Sequence, residues 1–172
     1  MIKRLTQLLF LLLVFPSFIV LSDTADDPPG PRPWFKAFVP VRTFYVSPSG
    51  SGDGKTLGSP MSFKKALTSG DPGDLYWLLE GTYKGDFRPT HAGTEARPIV
   101  YRALQGKHVI IEGGFSFEVG YNWIWGLEIT DPHDVQSEGG AEMLAPGIRV
   151  INCVIHDQFG NIGIGGWQQG KG

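Results

Sequence analysis

Short apolar segments that end in glycine or a turn follow one another along most of this chain. After the turn at 71–74, such segments occupy residues 75–79, 98–101, 108–111, 123–130, 148–155 and 162–164. The later ones recur at intervals of roughly twenty-odd residues, the size of one coil in a β-solenoid. A coil of this kind exposes apolar side chains and backbone edges that only the next coil can cover. The spacing therefore predicts strands that stack coil upon coil.

The composition favours strands over helices. The chain has 24 glycines and 13 prolines among 172 residues, and both residue types interrupt helices. The length suits a single domain, and an apolar content of 41% is enough to build its core. Many short strands joined by turns fit this composition better than a helical bundle.

One short helix is predicted before the coils, from Phe63 to Leu67. Its apolar face also includes Ala66, and Ser62 can cap its first turn. Gly70 can end it. The first coil of a solenoid has an open edge that invites pairing with other chains. We expect the helix to lie across that edge with its apolar face inward.

Residues 1–22 have the pattern of a signal peptide. Lys3 and Arg4 precede an apolar run at 8–21, and Ser22 offers a small residue for cleavage. An uncleaved anchor helix is the alternative, although the run is short for crossing a bilayer. We expect export with cleavage, no stable membrane span afterwards, and a protein that is secreted, periplasmic or on the cell surface.

After the signal peptide, residues 23–40 are expected to form a linker and the start of the packed region. Residues 41–172 are expected to form the N-terminal coils of one solenoid domain. Cys153 is the only cysteine, which excludes an intramolecular disulfide. Between Ile151 and Val154, it is expected to be a small buried hydrophobic side chain.

The charge of the chain limits its partners. The formal net charge is −2 and no basic cluster is present, so nucleic acid is not an expected partner. An anionic substrate must then be met by local cations or by a bound metal.

Several segments resemble the N-terminal coils of right-handed parallel β-helix proteins of the pectate lyase-like superfamily, closest to the chondroitinase B/alginate lyase type. These segments are 45–54 (YVSPSGSGDG), 58–60, 97–103, 109–113, 126–129 and 147–157. The resemblance implies an all-β fold, a right-handed parallel β-helix with a short N-terminal capping helix. It covers most of the chain after Phe44, and its motifs specify the fold better than the activity.

The resemblance implies a secreted carbohydrate-active protein whose partner is an extracellular polysaccharide. We expect a polysaccharide lyase that cleaves acidic glycans by β-elimination. The alternatives are a non-catalytic surface or adhesive β-solenoid and a glycoside hydrolase on the same scaffold. The chain stops directly after a coil, at 170–172, which we interpret as truncation at the C-terminus. The catalytic residues are then expected beyond residue 172.

The densest group of polar residues lies where a predicted strand gives way to a loop. It comprises Glu128, Asp131, His133 and Asp134, which we predict to bind substrate. A solvated turn is the alternative, because 131–134 has ordinary turn chemistry. Calcium is a candidate cofactor, since it takes carboxylate and carbonyl oxygens. The spacing matches no recognised calcium loop, so no metal ligands are assigned.

The adjacent pair His156 and Asp157 is the candidate for catalysis. A histidine beside a carboxylate at a strand end can act as a base or bind sugar hydroxyls. Adjacent residues of a strand point to opposite faces, so the two need not cooperate, and stabilising a turn is the alternative. His91 and His108 have no suitable partners in the sequence and are expected to be structural or exposed.

Tryptophans could form a platform for sugar rings. Trp123 and Trp125 share a face if their segment is a regular strand, although core packing is the alternative for at least one. Trp167 lies in a glycine-rich polar segment where its ring could stack on a sugar, and we predict that it binds substrate. The next coil could equally bury it.

Overall fold

A computed structural model describes residues 38–131, 140–158 and 163–166. Within these residues, one α-helix, α1 (Phe63–Leu67), accompanies a series of short strands. The strands before the regular coils are β1 (Arg42–Ser47), β2 (Met61–Ser62), β3 (Asp74–Leu78) and β4 (Gly81–Lys84). Those of the coils are β5 (Ile99–Ala103), β6 (Val109–Glu112), β7 (Phe115–Phe117), β8 (Asn122–Trp125), β9 (Glu128–Asp131), β10 (Ala141–Met143), β11 (Arg149–Ile151), β12 (Val154–Gln158) and β13 (Ile164–Gly166).

The strands form three parallel sheets. Sheet A has the order β11-β8-β5-β3-β1-β2, sheet B the order β12-β9-β6-β4, and sheet C the order β13-β10-β7. Each coil therefore gives one strand to each sheet, in the sequence β5-β6-β7, then β8-β9-β10, then β11-β12-β13. This arrangement is a parallel β-solenoid with almost no helix, and it confirms the predicted fold.

The register shows how regular the coils are. Leu75, Val100, Trp123 and Arg149 lie side by side in sheet A, at sequence intervals of 25, 23 and 26 residues. This confirms the predicted spacing of roughly twenty-odd residues. Because every coil returns to the same register, a side chain in one coil lies directly above its counterpart in the next.

Two of the predicted segments, 123–130 and 148–155, are each two strands rather than one. Gly126 breaks the first with φ +69°, and Asn152 breaks the second with φ +48°. Both residues occupy the turn from sheet A to sheet B, where the chain needs a left-handed backbone that glycine and asparagine adopt most readily. Asn152 is thus a turn residue.

The core lies between the sheets and is rich in stacked rings. In sheet A, Phe44 and Tyr76 stack with centroids 5.3 Å apart, and Tyr76 and Tyr101 do so at the same distance. Ile124 continues this column into the next coil and is fully buried. Phe115 and Phe117 of sheet C stack at 5.3 Å within one strand. Such offset and stacked aromatic contacts add to the stability that burial alone provides.

Helix α1 closes the first end of this core, as predicted. Phe63, Ala66 and Leu67 are buried, and the Phe63 ring lies 4.7 Å from that of Phe87 and 5.8 Å from that of Tyr101. The apolar face of the helix therefore packs onto the stacked rings instead of leaving them open to solvent.

The helix has the predicted bounds, Phe63 to Leu67, and the predicted N-cap, but another residue caps its C-terminal end. The Ser62 hydroxyl accepts a hydrogen bond from the Lys65 backbone N–H, as expected for an N-cap. The expected role of Gly70 is wrong, because the helix ends at Leu67 with Thr68 as its C-cap. The Thr68 backbone N–H donates to the Lys65 carbonyl, which tightens and terminates the last turn.

The predictions for the signal peptide (1–22) and for most of the linker (23–40) lie outside the described residues. Among the residues that are described, no helix is long and apolar enough to cross a membrane.

Candidate functional site

The outer side of sheet A carries a ladder of tryptophan and arginine side chains. Trp77, Arg102 and Trp125 lie in register on three successive strands. The Arg102 guanidinium lies 5.3 Å from the centre of the Trp77 ring and 3.8 Å from that of Trp125. In the next column, the Arg149 guanidinium lies 4.4 Å over the Trp123 ring. We call these five residues the tryptophan–arginine face.

Most of the tryptophan–arginine face is buried. Trp123 and Trp125 are 6% and 4% exposed, and Arg102 is 8% exposed. Phe38 packs on the Trp123 ring at 6.0 Å, and the Trp123 indole N–H donates to the Gly147 carbonyl. Trp123 and Trp125 do share a face, as predicted for a regular strand. Their burial favours packing over an open platform for a sugar ring.

The outer side of sheet B carries an exposed polar group that spans three coils. The His108 Nε2 and Glu128 Oε2 atoms lie 2.5 Å apart, and the His156 Nε2 and Glu128 Oε1 atoms lie 3.1 Å apart. His156 Nδ1 lies 2.7 Å from Asp157 Oδ2. The Glu128 carboxylate thus contacts both imidazoles, and the Asp157 carboxylate contacts the other nitrogen of the His156 ring. We call these four residues the histidine–carboxylate cluster.

A β-bulge brings His156 and Asp157 together. The register of β12 against β9 shifts between His156 and Gln158, and Asp157 between them has φ +50°. In a regular strand, the two side chains would point to opposite faces. The extra residue of a bulge redirects a side chain, here placing the Asp157 carboxylate beside the His156 ring. The expectation that the pair need not cooperate therefore does not apply to this strand.

The charges of the cluster follow from its hydrogen bonds. Ionised carboxylates only accept hydrogen bonds, so each ring nitrogen that faces one must carry a proton. Both nitrogens of His156 face carboxylates. The hydrogen bond to Asp157 raises the pKa of the imidazole most, and the hydrogen bond to Glu128 raises it further. The hydrogen bonds from His108 and His156 lower the pKa of the Glu128 carboxyl. Both ring nitrogens of His156 thus face carboxylates, and the raised pKa favours its imidazolium form, which suits a cation better than a general base.

The other predicted substrate-binding residues have different surroundings. Asp131 is 3% exposed at the end of β9, so little of its side chain reaches the surface. His133, Asp134 and Trp167 lie outside the described residues. Among the predicted residues, the structure thus brings together Glu128, His156 and Asp157.

His108 is the member of the cluster that the sequence analysis did not connect to a partner. It is exposed, as expected, but Glu128 lies 20 residues further along and His156 another 28 beyond that. These separations are close to one coil each. Searching for polar residues one coil apart would have paired them, because equivalent positions stack in a solenoid.

Cys153 is a packed side chain. Its Sγ lies 3.3 Å from the Ile151 carbonyl, and burial raises the pKa of the thiol above its ordinary value. A thiol of this kind is mostly protonated at neutral pH and a poor nucleophile.

The donors of the cluster do not fit calcium. Calcium takes six to eight oxygen ligands, whereas the two groups that contact the Glu128 carboxylate, His108 and His156, are imidazoles. Both Glu128 oxygens already accept hydrogen bonds from these imidazoles.

Comparison with known proteins relates the chain to pectate lyases. No family model matches it. Pectate lyase L of Dickeya chrysanthemi is 46% identical over 86 residues, which cover 44% of this chain and 20% of that protein. Pectate lyase PEL9 of Emericella nidulans is 38% identical over 73 residues, or 40% of this chain and 18% of that protein. The uncharacterised protein YwoF of Bacillus subtilis is 30% identical over 97 residues, or 55% of this chain and 20% of that protein.

A solved structure gives the same result for the fold. The crystal structure of pectate lyase Pel9A superimposes with a TM-score of 0.60 and 22% identity, covering 70% of this chain and 34% of that one. The chain spans about a fifth of the length of the curated relatives that it matches. The predicted resemblance to pectate lyase-like β-helix proteins is confirmed. The closer likeness to chondroitinase B and alginate lyases stays a prediction.

Proposed function

We propose that this protein is a polysaccharide lyase, and that its chain supplies the first coils of a β-helix acting on acidic glycans such as pectate. The observation that carries the proposal is the sequence identity of 46% and 38% to two pectate lyases on a shared fold. Fold alone would not carry it, because one scaffold serves many activities.

The proposed reaction is β-elimination on a uronate residue. A cation neutralises the sugar carboxylate and so acidifies the neighbouring C–H bond. A base removes that proton, the electron pair forms a carbon–carbon double bond, and the glycosidic oxygen leaves with the preceding sugar. The reaction therefore needs a cation, a base and a surface that holds the polymer.

Within this scheme, His156 is proposed as a cation rather than as the base. Its side chain is 41% exposed, so a sugar carboxylate or hydroxyl can reach it. Glu128 and Asp157 hold its two nitrogens protonated, which denies it the free lone pair that a base requires. We propose that Glu128 and Asp157 position the imidazolium and accept hydrogen bonds from sugar hydroxyls.

We also propose that the protein is exported, as its extracellular substrate requires. The signal-like pattern at 1–22 and the similarity to pectate lyases support this location. Expression in a secreting host with N-terminal sequencing of the mature protein tests it. An intact N-terminus on protein retained inside the cells would contradict export.

The test of the activity is incubation of the protein, in its natural form, with polygalacturonate. A lyase releases products that absorb in the ultraviolet because each carries a new double bond conjugated to the carboxylate. New reducing ends without that absorbance would indicate a glycoside hydrolase instead. Binding of polygalacturonate without any product would indicate a non-catalytic solenoid, and a neutral galactan serves as the control polymer. Inactivity on polyuronates and on glycosaminoglycans would exclude the proposed lyase.

A further inference from the structure

We propose that His108 is the general base of the lyase reaction, with Glu128 as the carboxylate that orients its ring. The inference rests on the proposed function, which needs a proton acceptor and leaves that group unassigned. It places the base within the described coils, whereas the sequence analysis expected the catalytic residues beyond residue 172. His156 keeps its role as the cation.

The first argument is the free nitrogen of the His108 ring. Its Nε2 atom lies 2.5 Å from Glu128 Oε2, and an ionised carboxylate only accepts hydrogen bonds, so this nitrogen carries a proton. A neutral imidazole has one N–H and one lone pair, so the lone pair of the neutral ring lies on Nδ1. Within the described residues, Glu128 is the hydrogen-bond partner of the His108 side chain, and Nδ1 has none. The ring therefore offers the acceptor that a base requires.

The second argument is the contrast with the other histidines that the structure describes. His156 faces carboxylates with both of its nitrogens. His91 Nδ1 lies 3.0 Å from the Thr90 hydroxyl, which can donate as well as accept and so fixes no tautomer. Where histidine acts as a base, a carboxylate on one nitrogen sets the tautomer and the ring orientation, and the other nitrogen takes the proton. His108 has this arrangement.

The third argument is the position of His108 beside the proposed cation. Its side chain is 63% exposed and directly precedes β6, so a polymer can reach it. The His156 ring contacts the other oxygen of the same Glu128 carboxylate. In a uronate unit, the carboxylate and the acidic hydrogen are both attached at C5, so cation and base must lie close together. Glu128 between the two rings holds both within reach of one sugar unit.

In the proposed step, His108 Nδ1 takes the C5 proton of a uronate unit while the carboxylate of that unit faces the charge of His156. The electron pair of the C–H bond forms the C4–C5 double bond, and the bond from C4 to the glycosidic oxygen breaks. The departing oxygen takes a proton from water, and His108 later returns its new proton to solvent. Glu128 stabilises the imidazolium that His108 forms in between.

The main experiment compares the kinetics of His108→Gln with those of the protein in its natural form on polygalacturonate. Glutamine can still donate to Glu128 but has no basic nitrogen. We expect kcat to fall by about 10²–10⁴-fold with little change in KM, because only a transition-state interaction is lost. His91→Gln is the matched control and should leave kcat unchanged, because His91 is exposed and contacts Thr90. Circular dichroism establishes that each variant is folded.

Two further measurements separate a base from a residue that only shapes the surface. In His108→Ala, imidazole added to the buffer should restore part of the lost rate in proportion to its concentration, and it should not accelerate the natural form. In the ¹⁵N-labelled natural form, long-range ¹H–¹⁵N spectra of the neutral His108 ring should show the proton on Nε2 and a bare Nδ1.

The outcomes distinguish the base from the function. Full activity in His108→Gln, or a neutral His108 ring with its proton on Nδ1, would overturn the assignment of the base and leave the lyase function intact. A natural form that releases no unsaturated product would contradict the proposed function, and the base would fall with it.

Discussion

The outer sides of sheets A and B are built by the same stacking and yet have opposite properties. In sheet A, Arg102 lies between two tryptophan rings and is almost fully buried. In sheet B, Glu128 lies between two histidines that are largely exposed. Neighbouring strands are about 4.8 Å apart, so each column brings side chains of successive coils into contact whatever their type. The residue types then decide whether the column stabilises the fold or stays available to a ligand.

The largest effect should come from removing a buried ring of the tryptophan–arginine face. Trp123→Ala deletes a side chain that packs against Phe38 and Arg149, and its indole hydrogen bond to Gly147 is lost too. We expect the free energy of unfolding to fall by about 3–5 kcal/mol. Urea denaturation measures it. Trp77→Ala is the control, because Trp77 is only half-buried and should cost less.

The next effect should come from the turn that joins the two sheets. An added Cβ at Gly126 meets only the Ala103 side chain at 3.6 Å, an ordinary contact, so the φ of +69° is the sole source of strain. Gly126→Ala should therefore lower the free energy of unfolding by about 1–2 kcal/mol. Gly126→Asn should cost less, since Asn152 occupies the same turn one coil later. Equal losses for both substitutions in urea would contradict a purely conformational cause.

A smaller effect should follow when the stacked guanidinium is replaced and the charge is kept. Arg102→Lys preserves the positive charge but loses the flat group between Trp77 and Trp125. We expect a loss of about 1–2 kcal/mol in the free energy of unfolding, as for a desolvated cation–π contact. The same change at Arg149, which is less buried and stacks on one ring, should cost less. A larger loss of unfolding free energy at Arg149 than at Arg102 would contradict this prediction, because it would show that the more exposed stack on Trp123 contributes more to stability.

Much of this fold could be predicted because many of its strands have a residue composition that is typical of strands. The strands that begin at Ile99 and Val109 are runs of β-branched and aromatic residues between glycine turns. Strands β7 and β10 were missed, because each has only three residues and Ala141–Met143 has no strand-like composition. Such strands form because strands of the neighbouring coils pair with them, so tertiary contacts rather than local composition determine them.

The site was harder to predict than the fold. Glu128, His156 and Asp157 were singled out, but no local pattern relates Glu128 to His108, 20 residues earlier. The alternation rule placed His156 and Asp157 on opposite faces, and only the bulge overturns it. Bulges depend on pairing with a neighbouring strand, so a single sequence does not reveal them.

The smallest effect on stability should come from the centre of the exposed cluster. Glu128→Gln removes the charge that both histidines share and keeps the shape of the side chain. Ion pairs between exposed groups contribute little, because water solvates the separated partners almost as well. We expect no measurable shift of the urea midpoint. A midpoint shift as large as that of Trp123→Ala would show that sheet B, like sheet A, uses its outer column to hold the coils together.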